Sequence, residues 1–332
     1  MIIDIYTHIL PDAFFREMSR VSPRLENIGA RLRGVKKLFD LDLRFAEMDQ
    51  IGDYRQIISL PNPPLEEIAQ GPVAAQLARV ANDAMAELCA KHPTRFPAFV
   101  AAVSLDDVDT ALKEAERAIT TLNARGLQIF TNIAGHPLDE ERFRPVFDLM
   151  ARHDLPLWLH PARTAAMPDY AAEQKSRFEM WWCFGWPYET TVAMARLVFS
   201  GVFDRHPGLK IVTHHLGGGM IPFFDGRIGA GMDVLGSRTS DEDYSKVLPS
   251  LKRPHLTYFR EFYADTALFG AGNGLICGLD FFGADRVVFA TDAPLGPIAK
   301  TIEQVDRLDL EEDARHKIMQ GNAERLLNMA FD

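Results

Sequence analysis

Short apolar runs rich in β-branched and aromatic residues alternate along the chain with longer segments of helical periodicity. Eight runs read as strands: Ile2–Tyr6, Gln56–Leu60, Phe96–Val103, Leu127–Phe130, Leu157–His160, Ile211–His214, Phe262–Asp265 and Val287–Thr291. The segments between them predict helices over Leu41–Ile51, Val73–Lys91, Val108–Asn123, Glu140–His153, Thr190–Phe203, a stretch after Pro222, Leu268–Phe281 and Asp313–Met329. Strand–helix alternation implies a parallel sheet, and eight units allow that sheet to close into an α/β fold of the (β/α)8 TIM-barrel type. A doubly wound open sheet is the alternative, but no glycine-rich phosphate loop follows the first strand.

Three stretches break the rhythm: Pro11–Phe39, Ala162–Tyr188 and Gly231–Arg260. Each follows a strand's C-terminus, so each is expected to decorate the catalytic face of the barrel. The second holds Trp181, Trp182 and Trp186, three of the chain's four tryptophans. They read either as a small satellite core under a long loop or as a wall on which a ring can stack.

With 332 residues, 47% of them hydrophobic, the chain can bury one large core, so residues 1–332 read as a single barrel domain. The opening MIIDIY enters a strand directly, and no apolar run reaches the ~20 residues of a spanning helix. A cytoplasmic protein is expected. Cys89, Cys183 and Cys277 form no CxxC and suggest buried, reduced thiols rather than disulfides. A formal net charge of −10 without a basic stretch argues against nucleic acid and against an anionic membrane.

Candidate chemistry lies at the strand ends. His8 follows the first run by two residues, His160 ends the fifth, His214 and His215 close the sixth, and Asp292 follows the eighth. Zinc and manganese take imidazole and carboxylate ligands, and an open coordination position lets such an ion activate water or hold a substrate oxygen. A lone strand-end histidine is more often a hydrogen-bonded core residue. Four or five converging on one face point to a metal centre.

The chain resembles the amidohydrolase subgroup that contains aminocarboxymuconate semialdehyde decarboxylase and gamma-resorcylate decarboxylase. The resemblance runs nearly end to end, on IDIYTHILP, LRFAEMDQIG, LWLHPA, IVTHHLGGGMIPFFDGRI, FYADTAL, GADRVVFATDAPLG and GNAERLL. It implies that His8, His160 and Asp292 hold a divalent metal, zinc first and manganese second, with Asp292 also carrying a proton. It implies a catalytic role for the histidine before the glycine run, His215 if the match is anchored on LGGG and His214 otherwise. Arg44 falls on an arginine that holds a substrate carboxylate, and Arg227 on one that a neighbouring subunit contributes, which implies a homodimer or higher oligomer. Where relatives have His-x-His or Glu-x-His, this chain has Tyr6 and His8, so Tyr6 either ligates as a phenolate or hydrogen-bonds water or substrate.

The expected function is metal-dependent, non-oxidative decarboxylation of an aromatic or unsaturated carboxylic acid, with Trp181 and Trp186 covering the ring. Hydrolysis or hydration of a lactone, amide or related small molecule is the alternative, because the same ligands serve both. A non-catalytic binding protein is a third.

Overall fold

A computed structural model describes residues 1–22, 31–239 and 241–331. Residues 23–30, inside the first predicted insertion, and Ser240, inside the third, lie outside them. Eight parallel strands surround the core: β1 (Ile2–His8), β2 (Tyr54–Ser59), β3 (Ala98–Phe99 and Ala101–Ala102), β4 (Leu127–Phe130), β5 (Leu157–His160), β6 (Ile211–Thr213), β7 (Tyr263–Asp265) and β8 (Val287–Val288). The first half of β3 pairs with β2 and the second half with β4, and the remaining strands pair in chain order. Val100 spans the seam: its N–H donates to Ile58 O, while the next N–H, of Ala101, donates to Gly126 O.

The two outer edges also meet. Ile5 N–H donates to Phe289 O at 3.0 Å, Asp292 N–H to Tyr6 O at 3.2 Å and His8 N–H to Ala293 O at 2.7 Å. The first and last strands are thereby joined, as barrel closure requires. Ile3, Ile5, Ile57, Val100, Val212 and Val288 fill the interior around Trp158. The Trp158 indole N–H reaches across to Ile5 O at 3.1 Å. A Cβ on Gly126 would stand 2.2 Å from the Trp158 ring, so glycine is what lets this large side chain fit.

A second apolar layer lies between strands and helices. Its longer helices are α1 (Asp12–Val21), α2 (Leu41–Ile51), α3 (Gly71–Lys91), α4 (Val108–Thr120), α5 (Arg144–His153), α6 (Gly185–Phe199) and α7 (Gly272–Phe282). Asp40 and Asp107 cap α2 and α4 by accepting from Leu43 N–H and Thr110 N–H. No helix among the described residues is long and apolar enough to cross a membrane.

Several boundaries differ from the sequence reading. The stretch Pro11–Phe39 contains a full helix, α1. Helix α6 starts at Gly185, inside the predicted tryptophan loop, because Pro187 falls in its first turn, where no N–H is needed. It ends before Gly201, at φ +73°, and Val202–Arg205 forms a separate turn. The stretch after Pro222 is two single turns, Met220–Phe223 and Asp225–Ile228, rather than a regular helix. Cys183 is exposed and the other two cysteines are half-buried, so none is the fully buried thiol expected.

Candidate metal centre

The barrel gathers its polar strand ends at one place. His8 and His160 are the last residues of β1 and β5, His214 directly follows β6, and Asp265 ends β7. In β1 the register shifts between Asp4 and Thr7, so an extra residue stands opposite β2. Such a bulge re-aims the side chains that follow it. Ligand atoms of His8, His160 and His214 lie within 4.8 Å of one another, as do those of His214, His215 and Asp292.

Each histidine is tied back through Nδ1. His8 Nδ1 meets Ser59 Oγ at 3.1 Å, and since that hydroxyl donates to Thr7 O, its oxygen accepts from the imidazole. His160 Nδ1 donates to Pro161 O at 2.8 Å and His214 Nδ1 to the Asp265 carboxylate. Nδ1 therefore carries a proton in all three, which leaves Nε2 as the atom that turns toward the shared point. His8 Nε2 and His214 Nε2 are buried without a hydrogen-bond partner. They stand 3.2 Å and 3.4 Å from Asp292 Oδ1, close but not aligned for bonding. Buried ring nitrogens left without a partner beside a carboxylate cost free energy unless something positive sits between them. Nitrogen and carboxylate donors of this kind fit a divalent cation.

The electrostatics favour neutral His8 and His160 and a positive charge at His214. Burial holds His8 and His160 below the usual imidazole range, with His214 adding to the effect on both. For His214 burial works in the same direction, but Asp265 and Asp292 outweigh it and push the group up to about 9, so the two carboxylates call for a positive charge here, a second proton on the ring or a cation in its place. Burial opposes the charge on Asp292, yet His214 and His8 together hold its carboxyl well below the ordinary range. Burial and then His214 lower His215 to about 4, and its Nδ1 bonds Ala267 O at 2.6 Å, so it is a neutral imidazole with Nε2 free.

Tyr6 is fully buried among the histidines, edge-on to His8 and His160. Its hydroxyl has no partner, and burial, with Asp265 and Asp292 nearby, raises it well above the usual phenol range. Beside the histidines opens a cavity of about 160 Å³ lined by residues that include Trp182, Trp186, Pro187, His215 and Phe269. The glycine run shapes its floor. His215, Leu216, Gly217, Gly218 and Gly219 all have positive φ, and a Cβ on Gly218 would meet Pro187 O at 2.5 Å.

Residues 3–329 match the sequence model of the family described as Amidohydrolase. The chain belongs to this amidohydrolase family. It is 34% identical over 304 residues to gamma-resorcylate decarboxylase of Rhodococcus jostii (strain RHA1), spanning 88% of this chain and 89% of that one. A solved 5-carboxyvanillate decarboxylase from Sphingomonas paucimobilis superposes with a TM-score of 0.84 at 28% identity, covering 99% of each chain. A dihydroxybenzoic acid decarboxylase from Polaromonas sp. JS666, solved with manganese and the inhibitor 2-nitroresorcinol, gives 0.79 at 28% identity, covering 98% of this chain and 96% of that one.

Within this amidohydrolase, His8, His160, His214, His215, Asp292 and Tyr6 converge as the strand ends suggested. Histidine 214 joins the group facing the metal position, and His215 turns toward the cavity. Arg44 is a correction. It was expected on a substrate carboxylate, but it is buried beneath the site, where Nη1 donates to His8 O at 2.6 Å and Nε to Gln56 Oε1 at 2.7 Å. Trp186 packs edge-on to His160 at 5.4 Å and lines the cavity, whereas Trp181 sits behind it, 5.9 Å away, and does not. Arg227 is exposed on the turn Asp225–Ile228. Trp182, read with its neighbours as a wall on which a ring can stack, lines the cavity, and sequence reasoning missed Asp265 and Phe269. Asp265 was findable as the carboxylate ending a predicted strand; Phe269 carried no local signal.

Proposed function

We propose that this amidohydrolase is a metal-dependent, non-oxidative decarboxylase of a hydroxylated aromatic or unsaturated carboxylic acid. The observation that carries the reading is the set of three histidines, each tied off at Nδ1 and facing one point beside Asp292, with an aromatic-walled cavity alongside. The identity to gamma-resorcylate decarboxylase supports the same chemistry. His8, His160 and His214, with Asp292, would hold the ion, zinc or manganese. When bound, it supplies positive charge that orients a substrate oxygen and favours its ionised form.

The chain's own residues do the rest. Trp186, Trp182 and Phe269 admit a flat ring and exclude water from it. A cavity of about 160 Å³ suits a single ring, since an engineered apolar cavity of ~150 Å³ takes up benzene. Neutral His215 accepts the proton that the substrate hydroxyl loses on binding and passes it to Asp292. Asp292 then delivers it to the ring carbon bearing the carboxylate. As that C–H bond forms, the C–C bond breaks, carbon dioxide leaves and its electron pair restores the ring.

Arg227 supports a homodimer or higher oligomer in which it serves a neighbour's site, and three free cysteines support a reducing, cytoplasmic compartment. The test is a panel of hydroxylated aromatic acids and lactones with added zinc or manganese, following carbon dioxide release and ring absorbance separately. Turnover of lactones without carbon dioxide would replace decarboxylation by hydrolysis.

A further inference from the structure

We infer that Arg44, Gln56, Tyr54 and Asp4 form a buried positioning relay that fixes the His8 end of β1 against the Asp292 end of β8. The inference rests on the metal-dependent reading only in that the held residues face the ion. Arg44 Nη1 donates to His8 O at 2.6 Å and Nη2 to Thr7 Oγ1 at 3.2 Å. Its Nε donates to Gln56 Oε1 at 2.7 Å, and Gln56 Nε2 donates to Tyr54 Oη at 3.0 Å. The Tyr54 hydroxyl donates to Asp4, whose carboxylate also accepts from the Thr291 hydroxyl and, at 3.1 Å, from Thr291 N–H. One unbroken run of hydrogen bonds thus starts at Thr7–His8 and ends at the residue before Asp292.

Nothing in this run is more than 1% exposed. Burying a guanidinium and a carboxylate is costly, and an apolar side chain of the same volume would fill the space at less cost. What the polar run adds is direction at two main-chain points. Both need it. The His8 carbonyl lies beyond the register shift of β1, and Asp292 has φ +64°, a left-handed conformation that a non-glycine residue keeps only where its surroundings impose it. Arg44 also lies over the Phe96 ring at 5.3 Å, which leaves its fork little freedom to turn toward a substrate. Arg44 is thus a positioning residue, acting through His8 rather than on the acid.

The test compares wild-type protein with Arg44→Met, Arg44→Lys, Tyr54→Phe and, as a control for lost stability alone, Leu197→Ala in the outer layer. Zinc or manganese dissociation constants are measured by chelator competition without substrate, and amide hydrogen exchange is followed at His8 and Asp292. Arg44→Met and Tyr54→Phe are expected to weaken metal binding by roughly tenfold or more, the usual range for outer hydrogen-bond partners of a ligand. They should also speed exchange at both amides, with partial recovery in Arg44→Lys and neither effect in Leu197→Ala. Tyr54→Phe keeps the ring and decides the matter if Arg44→Met does not fold. Metal affinity and exchange unchanged in Tyr54→Phe, or a raised KM as the sole defect of Arg44→Lys, would overturn the relay. A wild-type protein that takes up no divalent ion would instead remove the metal-dependent reading, and hydrogen exchange would still judge the relay.

Discussion

The Tyr6 ring lies stacked on His214, with centroids 3.8 Å apart and planes 28° from parallel. His214 stacks in turn on His215 with the same separation and tilt. Two residues before His8 this chain places one end of a three-ring stack, and the ring itself does the packing. Tyr6→Phe is therefore expected to keep metal content near wild type, because three histidines and Asp292 remain. Its orphaned hydroxyl has no partner but what enters the site, so KM for the acid should rise several-fold. Metal analysis beside steady-state kinetics checks this, and loss of the ion in Tyr6→Phe would make the phenol a ligand.

The two adjacent histidines separate by experiment. His214→Ala removes a nitrogen that faces both His8 and His160, so bound metal should fall sharply. His215→Ala should keep the ion and lose about 10²–10⁴-fold in kcat, the usual worth of a positioned acid–base group. Equal metal loss in both would mean that the pair acts together on the ion.

Asp292→Asn keeps the shape and removes the titrating group. Most metal and substrate affinity should remain while turnover drops by several orders of magnitude. In heavy water, the wild-type product should carry deuterium at the carbon that lost its carboxylate. Near-normal turnover in the metal-loaded variant would leave Asp292 as a ligand only.

Glu66 is 6% exposed, and neither of its carboxylate oxygens has a hydrogen-bond partner. Burial raises it from 4.5 to about 7. A raised carboxyl favours the folded state most below pH 4.5, and that contribution is lost as pH climbs through about 7, where the folded protein must ionise a buried group. Glu66→Gln should therefore stabilise the protein on the order of 1–3 kcal/mol at pH 8 and much less at pH 5. Thermal melts of both proteins across that range test the sign, and a gain that grows toward acid pH would refute it.

Gly218 sits at φ +78°, with Pro187 O 2.5 Å from where a Cβ would stand. Gly218→Ala must strain its own backbone and push α6 outward, at a cost of roughly 1–3 kcal/mol. Because Pro187 and Trp186 share the cavity wall, KM should rise together with the fall in Tm. A stable variant with altered KM would show that the contact serves the cavity alone.

The barrel was legible because its strands are short and apolar and its helices long and periodic, so eight units stood out even where edges moved by several residues. Helix α6 begins and ends earlier than the predicted Thr190–Phe203, because its first turn accommodates Pro187 and it stops before Gly201. The strand-end residues were legible one by one, since His8, His160, His214 and Asp292 are polar side chains where burial favours apolar ones. Their division of labour was not. Whether a histidine faces the ion or the cavity depends on what its Nδ1 meets, and Asp265 and Ala267 lie about fifty residues downstream of His214 and His215. Arg44 shows the reverse case. Its match to a substrate-binding position was clear, yet in three dimensions the His8 carbonyl and Gln56 claim its guanidinium.

Closure of the barrel makes the centre a late product of synthesis. The contact between Asp4 and Thr291 joins residues 287 positions apart. His8 leaves the ribosome long before the carboxylate it will face. Contacts of such long range form slowly. An ion arriving before β8 docks would find three imidazoles and no Asp292, so the full donor set exists only once the barrel has shut.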